Sequence, residues 1–318
     1  MNITILIPTR NRFDELKKLL IYYKNQNFTG NIFLIDSSRI NIFEKTKNFL
    51  RKLKNKRIKH FRFVGRPFEC TKFVTNRIVT KYVCWSGDDD YYIVNGIKKS
   101  INILEKNQNI DALNGLSIVA NFSKQNNLNF NNYSIYDNFY SSKTKSIERL
   151  VSILNNYKVP IFSIFRSKIF FKIMKCIPGR SQRNLCPTRI IHDEYLESLL
   201  IVNFNKIYNY NFPLLIRTVP KKKYAKLSIE NLKKQNQLNF DQKKSVLFLE
   251  KTIFKLLKNN KDRKTFSDQL RIFFQKINKK KSKNIYFKFL KMQIRKLYLQ
   301  IFTKNFNSFF KIINKHKK

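Results

Sequence analysis

Tyr82-Val83-Cys84-Trp85-Ser86-Gly87-Asp88-Asp89-Asp90 is a short apolar run that ends in three consecutive carboxylates. The run suits a buried parallel strand. The triplet is costly: at close range each pair of like charges repels by roughly 1 kcal/mol through water, and by more when partly buried. A divalent cation removes that cost, and hard carboxylate oxygens suit Mg²⁺ or Mn²⁺. On a chain leaving a strand, the first and third aspartates can turn to the same side, which pairs Asp88 with Asp90 for a metal and for ligand hydroxyls. The competing reading is that acids ahead of Tyr91 to Ser100 stabilise the start of a helix.

Upstream, the same strand-then-turn pattern recurs. Ile3 to Ile7 is apolar and ends at Pro8, followed by the polar turn Thr9-Arg10-Asn11-Arg12. Phe13 to Tyr23 has helical spacing, with Asp14 and Glu15 in the first turn, where the helix dipole favours acids. Ile32 to Ile35 is a second strand ending at Asp36-Ser37-Ser38, and Phe43 to Leu53 a basic helix. Ile58 to Val64 reads as a third strand and Thr71 to Val79 as a helix. Four such units predict a parallel sheet covered by helices. Ligands of such sheets bind at the carboxyl ends of the strands. Thr9 to Arg12, Asp36 to Ser38 and Asp88 to Asp90 all fall there.

Downstream, Asn95 to Glu105 reads as a helix and Ala112 to Ala120 as a strand. Residues 121 to 145, rich in Asn and Ser, read as a long loop of the kind that often serves as a lid or an acceptor-binding segment. Arg149 to Asn156 is helical and Val159 to Phe165 strand-like. His192-Asp193-Glu194-Tyr195 forms a second acidic motif, in which Asp193 would cap a helix running from Glu194 to Ile201. After about residue 220 the character changes, which divides the chain into a domain over 1–220 and a basic, mainly helical extension over 221–318. Residues 271 to 318 hold fifteen Lys or Arg and no acid. Tyr286, Leu290, Ile294, Leu297, Tyr298 and Ile301 share one face of a basic amphipathic helix.

The 318 residues carry a formal net charge of +45, from 65 Lys and Arg against 20 Asp and Glu. Abundant Asn, Ile, Phe and Lys beside 6 Gly and 7 Pro match the codon bias of an AT-rich genome, so part of the lysine excess is compositional. The remainder favours anionic partners. Cys70, Cys84, Cys176 and Cys186 form no Cys-x-x-Cys pair and do not cluster with His60, His192 or His316, which argues against a zinc site and a disulfide framework. No signal peptide is read at Met1, and no apolar run reaches membrane-spanning length. The expected location is cytoplasmic, with peripheral contact at the inner face of the plasma membrane.

Ile5-Leu6-Ile7-Pro8-Thr9-Arg10-Asn11-Arg12 resembles the opening of the family 2-type glycosyltransferases with the GT-A fold. Leu34-Ile35-Asp36-Ser37-Ser38 resembles that family's second strand, and Tyr82 to Asp90 its strand and D-x-D motif. Ser37-Ser38 stands where many members have Asp-Asp or Asp-Gly. The likeness covers residues 1 to 120 well, 121 to 220 loosely, and not the tail. It implies an α/β, Rossmann-like, mainly parallel sheet flanked by helices. It implies inverting, hexosyl-type transfer from a nucleotide-diphosphate sugar, with uridine diphosphate expected from family frequency.

The resemblance also implies residue roles. Pro8, Thr9, Arg10, Arg12, Asp36, Asp88 and Asp89 would bind the donor nucleotide, and Asp90 with Asp88 would hold Mn²⁺ or Mg²⁺. Asp193 would be the base, with Glu194 as the alternative. Lys72 and Arg77 are further cations that could meet phosphate. The acceptor would be a glycan or a lipid-linked sugar, as in cell-surface polysaccharide or glycolipid synthesis. The basic tail would meet anionic membrane, each cation contributing about 1 kcal/mol, or would be a helical extension packed on the domain. A nucleic-acid-binding protein and a catalytically inactive relative are the alternatives. Against the first, no nucleic-acid motif is present, and the acidic triplet repels phosphate unless a metal intervenes.

Overall fold

The computed structural model describes residues 1–122, 128–136, 138–178, 191–219 and 237–279. The strand-and-helix alternation of the first ninety residues stands. β1 (Ile3–Thr9) leads to α1 (Phe13–Asn25), β2 (Asn31–Asp36) to α2 (Ile40–Leu53), and β3 (Ile58–Arg62) to α3 (Pro67–Val74). β4 (Tyr82–Trp85) completes the series. β1 is buried on both faces, which is why its sequence shows no polar alternation. α1 buries Leu16, Leu19, Leu20 and Tyr23 at the spacing of one helical face, with Asp14 and Glu15 in its first turn and Lys24 in its last. α3 starts four residues earlier than its apolar spacing predicts. Pro67 opens it and the Glu69 carboxylate accepts the Arg66 N–H at 2.8 Å.

Beyond β4 come β5 (Asp90–Tyr92), α4 (Val94–Lys106), β6 (Ala112–Phe122), β7 (Leu128–Tyr136), α5 (Ser146–Asn155), β8 (Ile164–Arg166) and α6 (Ser167–Cys176). A wide helical turn, Ile191–Leu196, runs into α7 (Glu197–Phe204), followed by β9 (Ile207–Val219), α8 (Gln237–Phe254) and α9 (Asn260–Lys279). The strands form one sheet in the order β3-β2-β1-β4-β8-β6-β9-β5, with β7 on β6. β3, β2, β1 and β4 are parallel. β8 runs antiparallel between β4 and β6, and β9 lies parallel to β6. The fold is therefore α/β, with a parallel first half and a mixed second half.

Four sequence expectations are corrected. Residues 121 to 145 are not one loop, because Leu128–Tyr136 pairs antiparallel with β6. Backbone pairing there outweighs the poor strand propensity of Asn and Ser. The strand expected over Val159 to Phe165 shrinks to Ile164–Arg166, because Pro160 opens a turn that Ser163 closes onto the Pro160 carbonyl through its N–H (3.2 Å) and hydroxyl (2.6 Å). Asp193 does not cap a helix, since the helical turn already begins at Ile191. The acidic triplet does not begin a helix either. β5 intervenes, and α4 starts after Ile93 with no acid in its first turn. The electrostatic reading of Asp88 to Asp90 therefore falls.

α4 lies tight on β9: a Cβ at Gly96 would stand 2.5 Å from the Pro213 carbonyl oxygen. α8 and α9 pack on the domain, α9 against α5, and Leu249, Ile253, Phe266, Leu270 and Phe273 join the single core cluster. Among the described residues no helix is long and apolar enough to cross a membrane. Cys186 and the amphipathic stretch from Tyr286 to Ile301 lie outside the described residues.

Candidate functional site

The parallel register sets Thr9 of β1 beside Asp36 of β2, with the Ser37 N–H donating to the Thr9 carbonyl at 2.9 Å. On the other side of β1, the Ser86 N–H donates to the Leu6 carbonyl at 2.9 Å. The three polar loops thus open side by side on one sheet edge. Asn11 ties two of them together. It sits in the left-handed region at φ 57°, which Asn tolerates. Its N–H donates to the Ser38 hydroxyl (2.7 Å), and its side chain accepts the Arg39 N–H (2.9 Å).

Thr9 and Arg12 hold the acidic loop. The Thr9 hydroxyl donates to Asp88 Oδ2 at 2.8 Å. The Arg12 guanidinium stands 3.1 Å from Asp88 Oδ1 and 2.6 Å from Asp89 Oδ2. Burial lowers the Arg12 pKa, but the charges of Asp88 and Asp89 outweigh it and raise the value overall. Arg10 is exposed at the head of the same turn, and Pro8 occupies β1 opposite Ile35. Lys72 donates to the Ile177 carbonyl at 2.6 Å, and Arg77 lies over the rings of Phe61 and Phe73.

Asp90 arrives on β5, only 6% exposed. The loop before it is closed by the Ser86 hydroxyl, which donates to the Asp90 carbonyl at 3.1 Å, and by the Thr218 hydroxyl, which donates to the Asp89 carbonyl at 2.8 Å. Gly87 lies under the carboxylates, where a Cβ would stand 2.8 Å from Asp90 Oδ2 and 3.1 Å from Asp89 Oδ1. Burial pushes the Asp88 carboxyl up to about 7 against the pull of Arg12. Burial, reinforced by Asp89, pushes Asp90 up to about 7 as well. Both carboxylates are thus short of compensating positive charge.

Among the described residues, no three His, Cys, Asp or Glu side chains converge as a closed metal cage. The arrangement fits a metal of another kind. Mg²⁺ and related ions are commonly held by one or two carboxylates and completed by substrate phosphates and water. Asp90 Oδ2 and Asp89 Oδ1 both lie close to Gly87, whereas both oxygens of Asp88 already have Thr9 and Arg12 as partners.

Asp36 is fully buried. Its Oδ1 accepts the Ser38 N–H at 2.8 Å and its Oδ2 lies 3.1 Å from His60 Nε2. Burial raises its pKa, but the bonds from His60 and Ser38 prevail and leave it below the usual value. Phe43 stacks on His60 at 4.4 Å, Arg62 lies over Phe43 at 5.1 Å, and Arg62 also donates to the Ser38 carbonyl. The sequence reading missed His60 and Arg62. Their signal was the spacing of two on β3, which sets both on one face beside Asp36.

Arg217 was also missed. It lies on β9 directly opposite Asp90 of β5, its Nε 3.9 Å from Asp90 Oδ1. Glu194, on the turn Ile191–Leu196, accepts from the Tyr157 hydroxyl at 3.3 Å, and that hydroxyl lies 3.1 Å from the Ser198 hydroxyl. Burial raises the Glu194 pKa, opposed by the Tyr157 bond and by the charge of Arg217. Arg217 thus lies within electrostatic reach of both acidic motifs. The backbone of Asp193 lies on the same turn, and its side chain is outside the described residues. Tyr157 and Tyr195 are braced by Phe273 of α9, at ring distances of 5.7 and 5.4 Å.

No protein-family model matches the chain, and none of the curated proteins compared with it does. Solved structures do. TarS of S. aureus, residues 1–349, shares 13% identity over 89% of this chain and 93% of its own, with a TM-score of 0.51. The same protein in complex with UDP-GlcNAc shares 12% identity over 87% and 82%, with a TM-score of 0.50. At such identities the likeness is one of architecture: the chain has a glycosyltransferase fold of the GT-A-like type.

Proposed function

We propose that the protein is a metal-dependent, inverting glycosyltransferase that moves a hexose from a nucleotide-diphosphate donor to an acceptor hydroxyl. The observation that carries this reading is the meeting of Thr9, Arg12 and the undercompensated carboxylates Asp88 to Asp90 at one carboxyl edge of the sheet. That is where ligands bind in such folds. The structural relative TarS binds UDP-GlcNAc, and a uridine donor is proposed here too.

The roles proposed for the residues are these. Asp36 fixes His60 and the Ser38 amide at the end of β2 and β3, where the base would lie against the Pro8–Thr9 strand end. Asp88 and Asp89, held by Thr9 and Arg12, face the ribose and diphosphate, and Arg10 stands at the outer rim. Mn²⁺ or Mg²⁺ would be held through Asp90, with Asp88 or Asp89, and would offset charge on the leaving diphosphate. The bond from the anomeric carbon to the phosphate oxygen breaks, and its electron pair goes to that oxygen. The acceptor oxygen bonds to the anomeric carbon from the opposite side, and its proton passes to a carboxylate of the turn Ile191–Leu196. Asp193 is that base, with Glu194 beside it as the alternative. The acceptor is proposed to be a glycan or a lipid-linked sugar, and the +45 charge supports docking of the basic tail on the anionic inner face of the plasma membrane.

The test is thermal stability against nucleoside diphosphates and nucleotide-sugars, each with and without Mn²⁺, on wild type and Asp90→Asn. A ligand that binds only the folded state raises the melting temperature by mass action. Stabilisation by one nucleotide that needs both the metal and Asp90 supports the reading. Stabilisation by RNA alone, indifferent to Asp90, overturns it.

A further inference from the structure

We propose that Arg217 grips the diphosphate of the donor, its guanidinium held for that contact by Asp90 and the ring of Phe162. The inference rests on the donor reading above and adds to it a residue that belongs to none of the sequence motifs.

Four observations carry it. First, position: β9 runs parallel to β6 and antiparallel to β5, and its register sets Arg217 across from Asp90. Second, Arg217 has hydrogen-bonding capacity left. It comes within 3.9 Å of Asp90, longer than a direct hydrogen bond, and among the described residues its buried Nε has no hydrogen-bond partner. A buried donor without an acceptor is uncommon in a folded protein, so Asp90 does not saturate the guanidinium. Arg12 offers the contrast, since its two terminal nitrogens are already committed to Asp88 and Asp89.

Third, the guanidinium is pre-oriented. Its central carbon lies 4.5 Å from the centre of the Phe162 ring. That residue is anchored in turn, its carbonyl accepting the Tyr92 hydroxyl at 3.0 Å and its ring meeting Trp85 at 5.8 Å. A planar fork stacked on a fixed ring matches two phosphate oxygens at little entropic cost. Fourth, the side chain remains 43% exposed while its Nε is covered, so the outer nitrogens are open to a ligand. As the sugar–oxygen bond breaks, the electron pair falls on the phosphate oxygen. The fixed positive charge offsets it, and no proton leaves the guanidinium.

The alternative is that Arg217 does no more than neutralise Asp90. Titration calorimetry with inorganic pyrophosphate and UDP, and ligand-observed NMR with uridine, distinguish the two, all with Mn²⁺ present. Wild type, Arg217→Gln and Arg217→Lys are compared. The glutamine variant is expected to bind pyrophosphate and UDP about tenfold or more weakly, as befits a lost charge-assisted contact, with uridine binding unchanged. The lysine variant should fall between. If the glutamine variant does not fold, the lysine variant is read, with the same pattern at roughly threefold. Affinity for pyrophosphate and UDP within about twofold of wild type, or an equal loss for uridine, overturns the inference. Wild type that binds neither pyrophosphate nor UDP sinks the donor reading itself.

Discussion

Arg12 Nη2 donates to Asp89 Oδ2 at 2.6 Å while its Nη1 stands 3.1 Å from Asp88 Oδ1. One side chain thus clamps the loop after β1 to the carboxylates after β4. Replacing Arg12 with Gln removes the strongest opposing charge from Asp88. The Arg12 side chain is 38% exposed, so solvent screening limits the loss of stability to about 1 kcal/mol. Chemical denaturation should show that loss, and Mn²⁺ should recover part of it by replacing the missing charge. A variant as stable as wild type at all metal concentrations would mean that the clamp contributes nothing.

The pH dependence of stability has a definite sign. Burial pushes the Asp88 and Asp90 carboxyls up to about 7 in the folded state, above the ordinary 3.8. Between those values the folded state binds more protons than the unfolded, so stability falls as pH rises. The metal-free protein should therefore melt at a lower temperature at pH 7.5 than at pH 5.5, a contrast that Mn²⁺ should flatten (both pH values chosen on about either side of the upper titration). Asp36 works the other way. Its lowered pKa stabilises the fold above its unfolded value, a contribution lost only as pH falls through the folded value. Melting curves across pH with and without Mn²⁺ decide the point.

Asp90→Asn removes a buried charge from beside Asp89. The metal-free variant should be more stable than wild type near neutral pH, by on the order of 1–2 kcal/mol, while losing metal-dependent nucleotide binding. A destabilised variant would show that the Arg217 contact outweighs the burial cost.

Gly87→Ala brings a methyl group to 2.8 Å from Asp90 Oδ2. The carboxylate must move, and the proposed metal site would move with it. Transferase activity should fall about tenfold or more, the scale of a 1 Å misplacement being up to roughly a hundredfold, with only a small change in melting temperature. Full activity in this variant would place the metal elsewhere.

Tyr157→Phe deletes the hydroxyl that donates to Glu194. That bond lowers the Glu194 pKa against burial, so its loss raises the pKa further. The acid limb of the activity profile should then move to higher pH if Glu194 takes the proton, and stay in place if Asp193 does. Stability should drop by about 1 kcal/mol for the lost hydrogen bonds.

Much of this was legible in the sequence where local pattern and chemistry coincide. β1, β2 and β4 are mostly apolar runs because both faces of the sheet are covered there, and their polar ends mark the edge where Thr9, Asp36 and Asp88 meet. What escaped depends on long-range pairing. Arg217 is one of 65 basic residues, and only the register of β5 on β9 sets it apart. β7 was hidden by its Asn-rich composition, since its ladder with β6 is made by backbone groups. His60 carried a signal of spacing on β3, but its meaning required knowing that β3 adjoins β2.

The placement of β5 has a consequence for biosynthesis. Its pairing partner in the sheet is β9, so residues 90–92 wait for residues 215–217. A chain leaving the ribosome displays its three carboxylates long before the strand that seats the third of them has been made. Domains form as units once enough chain is available, and here the seat of Asp90 is completed only when β9 has been made.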